Sequence, residues 1–252
     1  MMKKTIVAII PARGGSKSIP HKNIADLGGF PLMAYSIAAA KLSKRISRVI
    51  VSTDDKSIAK IALKYGAEVP FLRPKKISKD TSTDKEFFLH AINWFKANEG
   101  HVPDLMVHLR PTTPLRSRNT IDKAILIISR NKKATSLRSV HANKFPTPFK
   151  MAVIRNKYLK FFGGEYFNAD KEYYNFPRQK LPKTYIPNGV VDIVRPSVVL
   201  GTGLLHGDKI ASMITENVSD IDSVSDLALA RIMRSEHKYK YLLSYLRKTK
   251  NA

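Results

Sequence analysis

Residues 10–23 read Ile-Pro-Ala-Arg-Gly-Gly-Ser-Lys-Ser-Ile-Pro-His-Lys-Asn and follow an apolar run directly. The residue types suit phosphate binding. Arg13, Lys17 and Lys22 offer charge-assisted donors to phosphate oxygens. Gly14 and Gly15, flanked by Ala12 and Ser16, let the main chain approach a ligand closely and present bare N–H groups. The spacing matches neither the G-x-x-x-x-G-K-[ST] loop nor the G-x-G-x-x-G fingerprint. A basic surface turn has the same composition. The position behind a strand favours the phosphate reading, because ligands of open α/β sheets sit beyond the carboxyl ends of the strands.

Asp220 and Asp222 are two positions apart, so an extended backbone turns both carboxylates to one side. Two carboxylates with phosphate oxygens and water suit Mg²⁺, which prefers partial protein ligation. Solvated loops carry the same Asp-x-Asp pattern. The seven histidines form no H-x-x-H-like cluster, and none is singled out as a general base. There is no cysteine, which excludes disulfides, thiolate metal sites and thiol catalysis.

The 252 residues are 43% hydrophobic and carry a net charge of +24, with 44 basic against 20 acidic side chains. No apolar run approaches the roughly 18 residues a membrane span needs. The start of the chain superficially resembles a signal peptide, but its short apolar stretch flows straight into the loop at 10–23 and reads as a first strand. Cytoplasmic location is the expectation. The excess of positive charge is compatible with nucleic acid or an anionic membrane as partner. Because the basic residues are scattered, steering of anionic substrates is the favoured explanation. One concentration, from Arg231 to Lys250, carries Tyr239, Leu242 and Leu246 at helical spacing and predicts an amphipathic helix or tail with a solvated basic face.

The elements that must position these residues alternate between strand and helix, which predicts a mostly parallel, doubly wound sheet with crossover helices. Strands are expected at residues 5–10, 48–52, 68–72, 105–109 and 134–140. Leu32, Tyr35, Ala39 and Leu42 mark one helix; Ile58, Ile61, Ala62 and Tyr65 mark a second that stops at Gly66. Thr83 with Glu86 forms a capping-box signature ahead of Phe88, Ala91 and Phe95, with Trp94 beside them as a core aromatic. Ser117 is the expected cap of a helix carrying Ile121, Ala124, Ile125 and Ile128. The strand at 105–109 delivers Arg110-Pro111-Thr112 to the same sheet edge as the first loop.

Between 141 and 187, prolines punctuate aromatic segments, and residues 149–154 and 158–162 read as a hairpin around Arg155-Asn156-Lys157. This excursion is too small for a core of its own and is expected to pack on a second subunit. Strands at 189–194 and 209–215 return to the sheet, and Ser223 caps a helix through Leu227 and Arg231. The expected organisation is a core of 1–140 plus 188–235, an insertion at 141–187 and a basic C-terminal segment at 236–252.

The run Pro11–Lys17 with Lys22-Asn23 resembles the signature loop of the acylneuraminate cytidylyltransferases, the CMP-sialic acid synthetases. The likeness continues at Ser52-Thr53-Asp54, Leu72-Arg73-Pro74, Asp80-Thr81-Ser82 and Arg110–Arg116. It extends to Pro177–Pro182, Pro187-Asn188-Gly189 and Asp220-Ile221-Asp222. These eight blocks keep the family order over nearly the whole chain. The resemblance implies a Rossmann-like nucleotidyltransferase fold with a small β-rich dimerisation insertion that reaches over the partner's active site. It implies attack of a sugar-acid hydroxyl on the α-phosphate of CTP, releasing pyrophosphate. In that reading Ala12 to Lys17, Lys22 and Asn23 bind the nucleotide, while Arg73 and Ser82 read the cytosine edge. Arg13, Lys22, Asp220 and Asp222 carry catalysis, the two aspartates through Mg²⁺. Arg110, Thr112, Arg178, Asn188 and Asp192 lie at the sugar-acid side, where Arg178 suits a carboxylate.

The departures cluster on that sugar side. Arg110 replaces the usual glutamine, Ile186 an arginine and Asp192 a tyrosine, and no aromatic pair appears near Leu204 and Leu205. Asp192 suits a sugar hydroxyl or amine, or simply a pair with Arg110. CTP with a nonulosonic or related 2-keto-3-deoxy acid is the leading expectation. The alternatives are a Kdo-type cytidylyltransferase, a sugar-1-phosphate nucleotidylyltransferase and a non-catalytic basic binding protein.

Overall fold

The computed structural model describes residues 4–251 apart from 17, 145, 168–171 and 219. The apolar run at the start forms β1 (Ile6–Pro11). It is followed by α1 (Leu32–Lys41), β2 (Arg48–Ser52), α2 (Lys56–Lys64) and α3 (Asp84–Glu99). Then come β3 (Leu105–His108), α4 (Thr120–Arg130), β4 (Ser136–Ala142) and the hairpin β5 (Ala152–Arg155) and β6 (Tyr158–Phe161). β7 (Tyr185–Val194), α5 (Pro196–Thr202), β8 (Ile210–Ile214), α6 (Val224–Met233) and α7 (Lys240–Lys250) complete the order.

Six strands make one sheet in the order β2-β1-β3-β7-β4-β8. β1 pairs in parallel with β2 and β3, and β4 with β8, whereas β7 runs antiparallel to both β3 and β4. The sheet is covered on both faces, so its central strands are apolar on both sides. Ala8 and Ile10 face a cluster built from α1, α2, α4, α6 and α7. Val7 and Ile9 face the opposite way, toward Phe95 and toward Phe88 and Ile92 of α3. The alternation of strand side chains thus sorts β1 between two cores.

Several local expectations are realised. α2 stops at Gly66, which is left-handed with φ of 85°; at its start Asp55, not anticipated as a cap, accepts from the Ser57 and Ile58 amides. α3 carries the Thr83–Glu86 capping box and ends at Gly100 in the left-handed conformation. Ser223 caps α6 with Asp226 as its reciprocal partner. In the hairpin, Asn156 and Lys157 have φ of 49° and 69°, the two left-handed residues that a tight two-residue turn demands.

Others are corrected. Residues 68–72 form no strand; only Glu68 and Leu72 make isolated bridges, to Ile50 and Thr53. Pro70 between them has no amide hydrogen to continue a ladder. The cap of α4 is Asn119, with φ of 64°, and not Ser117. The C-terminal helix, by contrast, is amphipathic with an exposed basic face, as expected. Tyr239, Leu242 and Leu246 are buried in the main core, and α7 packs on α1. The insertion has its own small cluster, in which Phe149, Tyr173 and Leu181 are buried. Among the described residues no helix is long and apolar enough to cross a membrane.

Candidate active site

A cavity of about 510 Å³ opens beyond the carboxyl ends of β1 and β3. Arg13, Ser16, Lys22, Asn23, Arg73, Ser82, Arg110 and Thr112 all line it, so one site gathers residues from four of the sequence blocks. Lys17 lies outside the described residues.

The loop after β1 is shaped by the protein's own polar groups. Ala12 is buried and donates its amide to Ser52 O at 2.9 Å, continuing the sheet. Asn23 Nδ2 donates to Arg13 O at 2.9 Å and folds the loop back on itself. The Gly14 amide, expected to be bare, donates to Asp54 Oδ1 at 3.0 Å. A Cβ on Gly14 would sit 2.8 Å from Asp55 Oδ2, while one on Gly15 would meet nothing within 4 Å. The glycine at 14 therefore serves approach to the Asp54-Asp55 turn, which corrects its expected role as a bare phosphate donor.

Two cations of this loop are ion-paired. Arg13 pairs with Asp80, and Lys22 Nζ lies 2.9 Å from Asp222 Oδ1. Arg73 is 6% exposed, donates to Ser52 Oγ at 3.1 Å and Ser52 O at 2.5 Å, and lies 5.2 Å from the Phe87 ring centre. Burial lowers its pKa to about 10, which still leaves it cationic at neutral pH. Ser82 Oγ accepts from the Lys79 amide at 3.0 Å and closes the neighbouring turn.

At the β3 end, Arg110 sits between two carboxylates: Nη1 is 2.8 Å from Asp192 Oδ2 and Nη2 is 2.8 Å from Asp84 Oδ2. Burial opposes its charge, but these two partners outweigh burial and hold its pKa above the ordinary value. Asp192 itself is fully buried and does not line the cavity. It reaches the cavity through Arg110, so of its two expected roles the structure shows the pair with Arg110. Beneath this pair His108 is buried, with Nδ1 3.9 Å from Asp84 Oδ2 and its ring edge-on to Phe87 and Phe88. Burial, reinforced by Arg110 and Arg116, pushes its pKa well below 6.5, so the ring is neutral.

Sequence reasoning missed Asp84, His108 and Arg116. Arg116 is fully buried; it donates to Val190 O at 2.6 Å, Ser36 Oγ at 2.8 Å and Arg110 O at 3.0 Å. It thereby fixes the main chain from which the Arg110 side chain departs. The only signal for it was its place at the end of the Arg110–Arg116 block.

Thr112 brings the two aspartates to the cavity rim, since its carbonyl accepts from the Ile221 amide at 2.8 Å. Ile221 is buried and Asp220 and Asp222 are exposed, the alternation expected of an extended Asp-x-Asp. Among the described residues no three metal-ligating side chains cluster. Two carboxylates beside a basic loop nevertheless fit Mg²⁺, which takes its remaining ligands from substrate oxygens and water.

Two expected sugar-side residues lie elsewhere. Arg178 lines a separate groove of about 390 Å³ with Lys144, Lys183 and Thr184, away from the main cavity. Asn188 is nearly buried, and its Nδ2 donates to Thr215 Oγ1 at 2.7 Å, so it braces β7 against the segment after β8.

Comparison with known proteins places this geometry. A family model described as "Cytidylyltransferase" matches residues 7–179. The chain belongs to the cytidylyltransferase family. Within it, the chain is similar to pseudaminic acid cytidylyltransferase of Campylobacter jejuni subsp. jejuni serotype O:23/36, with 31% identity over 90% of this chain and 95% of the relative. It also resembles CMP-N,N'-diacetyllegionaminic acid synthase of Legionella pneumophila, 43% identical over 48% of this chain and 52% of that protein. Its fold is shared with a CMP:2-keto-3-deoxy-manno-octonic acid synthetase solved with CTP, at a TM-score of 0.67 and 14% identity over 92% of this chain and 99% of that one. This cytidylyltransferase is thus a CTP-dependent nucleotidyltransferase of the CMP-sialic-acid-synthetase-like kind, on a Rossmann-like sheet.

Proposed function

We propose that this cytidylyltransferase joins CTP to a free nonulosonic, or related 2-keto-3-deoxy, sugar acid, giving a CMP-sugar and pyrophosphate. The observation that carries the reading is one cavity lined by Arg13, Lys22, Arg73, Ser82 and Arg110 at the ends of β1 and β3. Transfer of this kind needs in-line positioning and neutralisation of charge more than covalent help.

In this reading Arg13 and Lys22 exchange their present carboxylate partners for the triphosphate, with Ser16 and Asn23 beside them. Arg73, prefixed by Ser52 and Phe87, presents a guanidinium whose entropy of ordering is already spent in the fold. With Ser82 it reads the cytosine. Asp220 and Asp222 would hold a Mg²⁺ ion, which supplies charge neutralisation at the attacked phosphate. Thr112 and Arg110 face the acceptor.

Arg178 serves the site of a second copy. Its position outside its own chain's cavity supports this, as does the apolar surface of the hairpin, where Ile154, Tyr158 and Leu159 are exposed. The homodimer, with residues 141–187 as its bridge between copies and 236–252 as part of the core, acts in the cytoplasm, where CTP is available. The charge of +24 steers anionic substrates, not nucleic acid or membrane.

A pyrophosphate-release screen with four nucleoside triphosphates and a panel of 2-keto-3-deoxy acids at millimolar Mg²⁺ tests the proposal. Turnover with CTP and such an acid is expected. Activity with a phosphorylated sugar and none with a free acid would point to a sugar-1-phosphate nucleotidylyltransferase instead.

A further inference from the structure

The sheet register sets three ionisable residues side by side. Across β3 and β7 His108 faces Asp192, and across β7 and β4 Arg138 faces the same Asp192. Arg110 and Asp84 close this row on the cavity side, with Arg138 Nη2 3.6 Å from Asp192 Oδ2. Opposite charges therefore balance: two guanidinium groups and two carboxylates around a neutral imidazole. Three atoms of the row remain buried without a hydrogen-bond partner: Asp192 Oδ1, His108 Nε2 and Arg138 Nε.

Resting on the cytidylyltransferase reading, we infer that Asp192 is a positioning residue that fixes Arg110, making Arg110, Asp84 and His108 a charge-compensated wall that selects acceptors by an uncharged hydrogen-bonding substituent. A guanidinium already held between two carboxylates is a poor site for a third anion, because its arrival sets like charges together. The acceptor's own carboxylate is therefore bound elsewhere. An amide suits the wall, which offers both donors and acceptors beside the buried His108, where an unmatched group is costly. Asp192 is inaccessible to the substrate and works through Arg110. Gly189, at φ of 65°, permits the arrangement, since a Cβ there would lie 3.2 Å from Arg110 Cδ.

The test compares wild type and Asp192→Asn in CTP-dependent pyrophosphate release, with an N-acylated nonulosonic acid and with the amide-free 2-keto-3-deoxy-octonic acid as acceptors. The variant is isosteric and loses the charge that anchors Arg110. The expected result is an acceptor KM raised at least about tenfold for the N-acylated acid, with CTP KM within about twofold. The kcat/KM preference for the N-acylated over the amide-free acid shrinks by a similar factor. Equal rises in both KM values, or an unchanged preference, would overturn the inference. Should Asp192→Asn fail to fold, Asp84→Asn tests the same wall, because Asp84 is partly exposed and its loss leaves the buried pair intact. Wild-type turnover separates the two levels of the argument. If wild type turns CTP over with neither acid nor any other 2-keto acid, the functional reading fails and takes this inference with it. If wild type is active and both variants keep its preference, only the inference fails.

Discussion

Lys22 and Asp222 lie 200 positions apart and meet at the cavity rim, with Nζ 2.9 Å from Oδ1. One residue belongs to the loop after the first strand, the other to the segment entering α6. Their meeting couples the loop that receives the triphosphate to the carboxylates proposed to hold the metal. Asp222 is 74% exposed in its side chain, so little of the fold depends on it.

Asp222→Asn is therefore expected to leave stability unchanged and to lower kcat by about 100-fold or more, the scale of losing a charge-neutralising metal contact. CTP affinity should stay within about threefold, because Arg13, Lys22 and Arg73 remain. Titration of the rate against Mg²⁺ and calorimetric binding of CTP measure the two effects separately. A normal Mg²⁺ dependence in the variant removes Asp222 from the metal site.

Arg73 makes a different prediction. It is buried, bonded to Ser52 and stacked on Phe87 before any ligand arrives. Arg73→Ala should raise CTP KM by about tenfold or more, the range for hydrogen bonds to a charged group, and leave the acceptor KM nearly unchanged. Arg73→Lys should not restore it, since an ammonium reproduces neither the fork to Ser52 nor the stacking. Steady-state kinetics with each substrate varied in turn checks both statements.

His108 links the site to stability. Its folded pKa lies well below 6.5, chiefly through burial. Below pH 6.5 the unfolded chain takes up a proton that the folded chain refuses, so stability falls as pH falls. The loss approaches about 1.4 kcal/mol per pH unit for a fully buried group. His90 and His206 shift in the same direction. Urea unfolding at pH 7.5 and 5.5 should show lower stability at 5.5, and His108→Gln should flatten part of that slope. An identical slope in the variant would assign the effect to other groups.

How much of this was legible in the sequence depends on whether the partners are local. The loop at 10–23, the capping pair Thr83–Glu86 and the cap Ser223 are short-range, and their placement follows from residue type alone. The missed features are long-range. The row His108–Asp192–Arg138 exists only because β7 runs antiparallel between β3 and β4, an insertion that no local period announces. Arg116 reads as one more arginine until the fold closes around it. The glycine at 14 has a side-chain neighbour, Asp55, that its own spacing does not reveal. The C-terminal helix, by contrast, was legible from its period: Tyr239, Leu242 and Leu246 recur at helical spacing and are buried in the core, while the basic residues of α7 stay exposed.

The dimer proposal has its own test. If Arg178 acts in the partner's site and Asp222 in its own, the two lesions complement. Arg178→Ala and Asp222→Asn are each expected to be nearly inactive alone. Mixed and re-equilibrated at equal amounts, they should recover about a quarter of wild-type activity, because half the dimers are mixed and each mixed dimer has one intact site. No recovery, with dimers confirmed by light scattering, places Arg178 outside the shared site.

The central claim is that the α-phosphorus of CTP is transferred to a hydroxyl of a free sugar acid. Phosphorus NMR of the full-length protein with CTP, Mg²⁺ and the best acceptor from the pyrophosphate screen reads this directly. The predicted result is one new phosphodiester signal from a CMP-sugar for each pyrophosphate released. Pyrophosphate accompanied only by free CMP, or a diphosphodiester formed from a sugar phosphate, would contradict it.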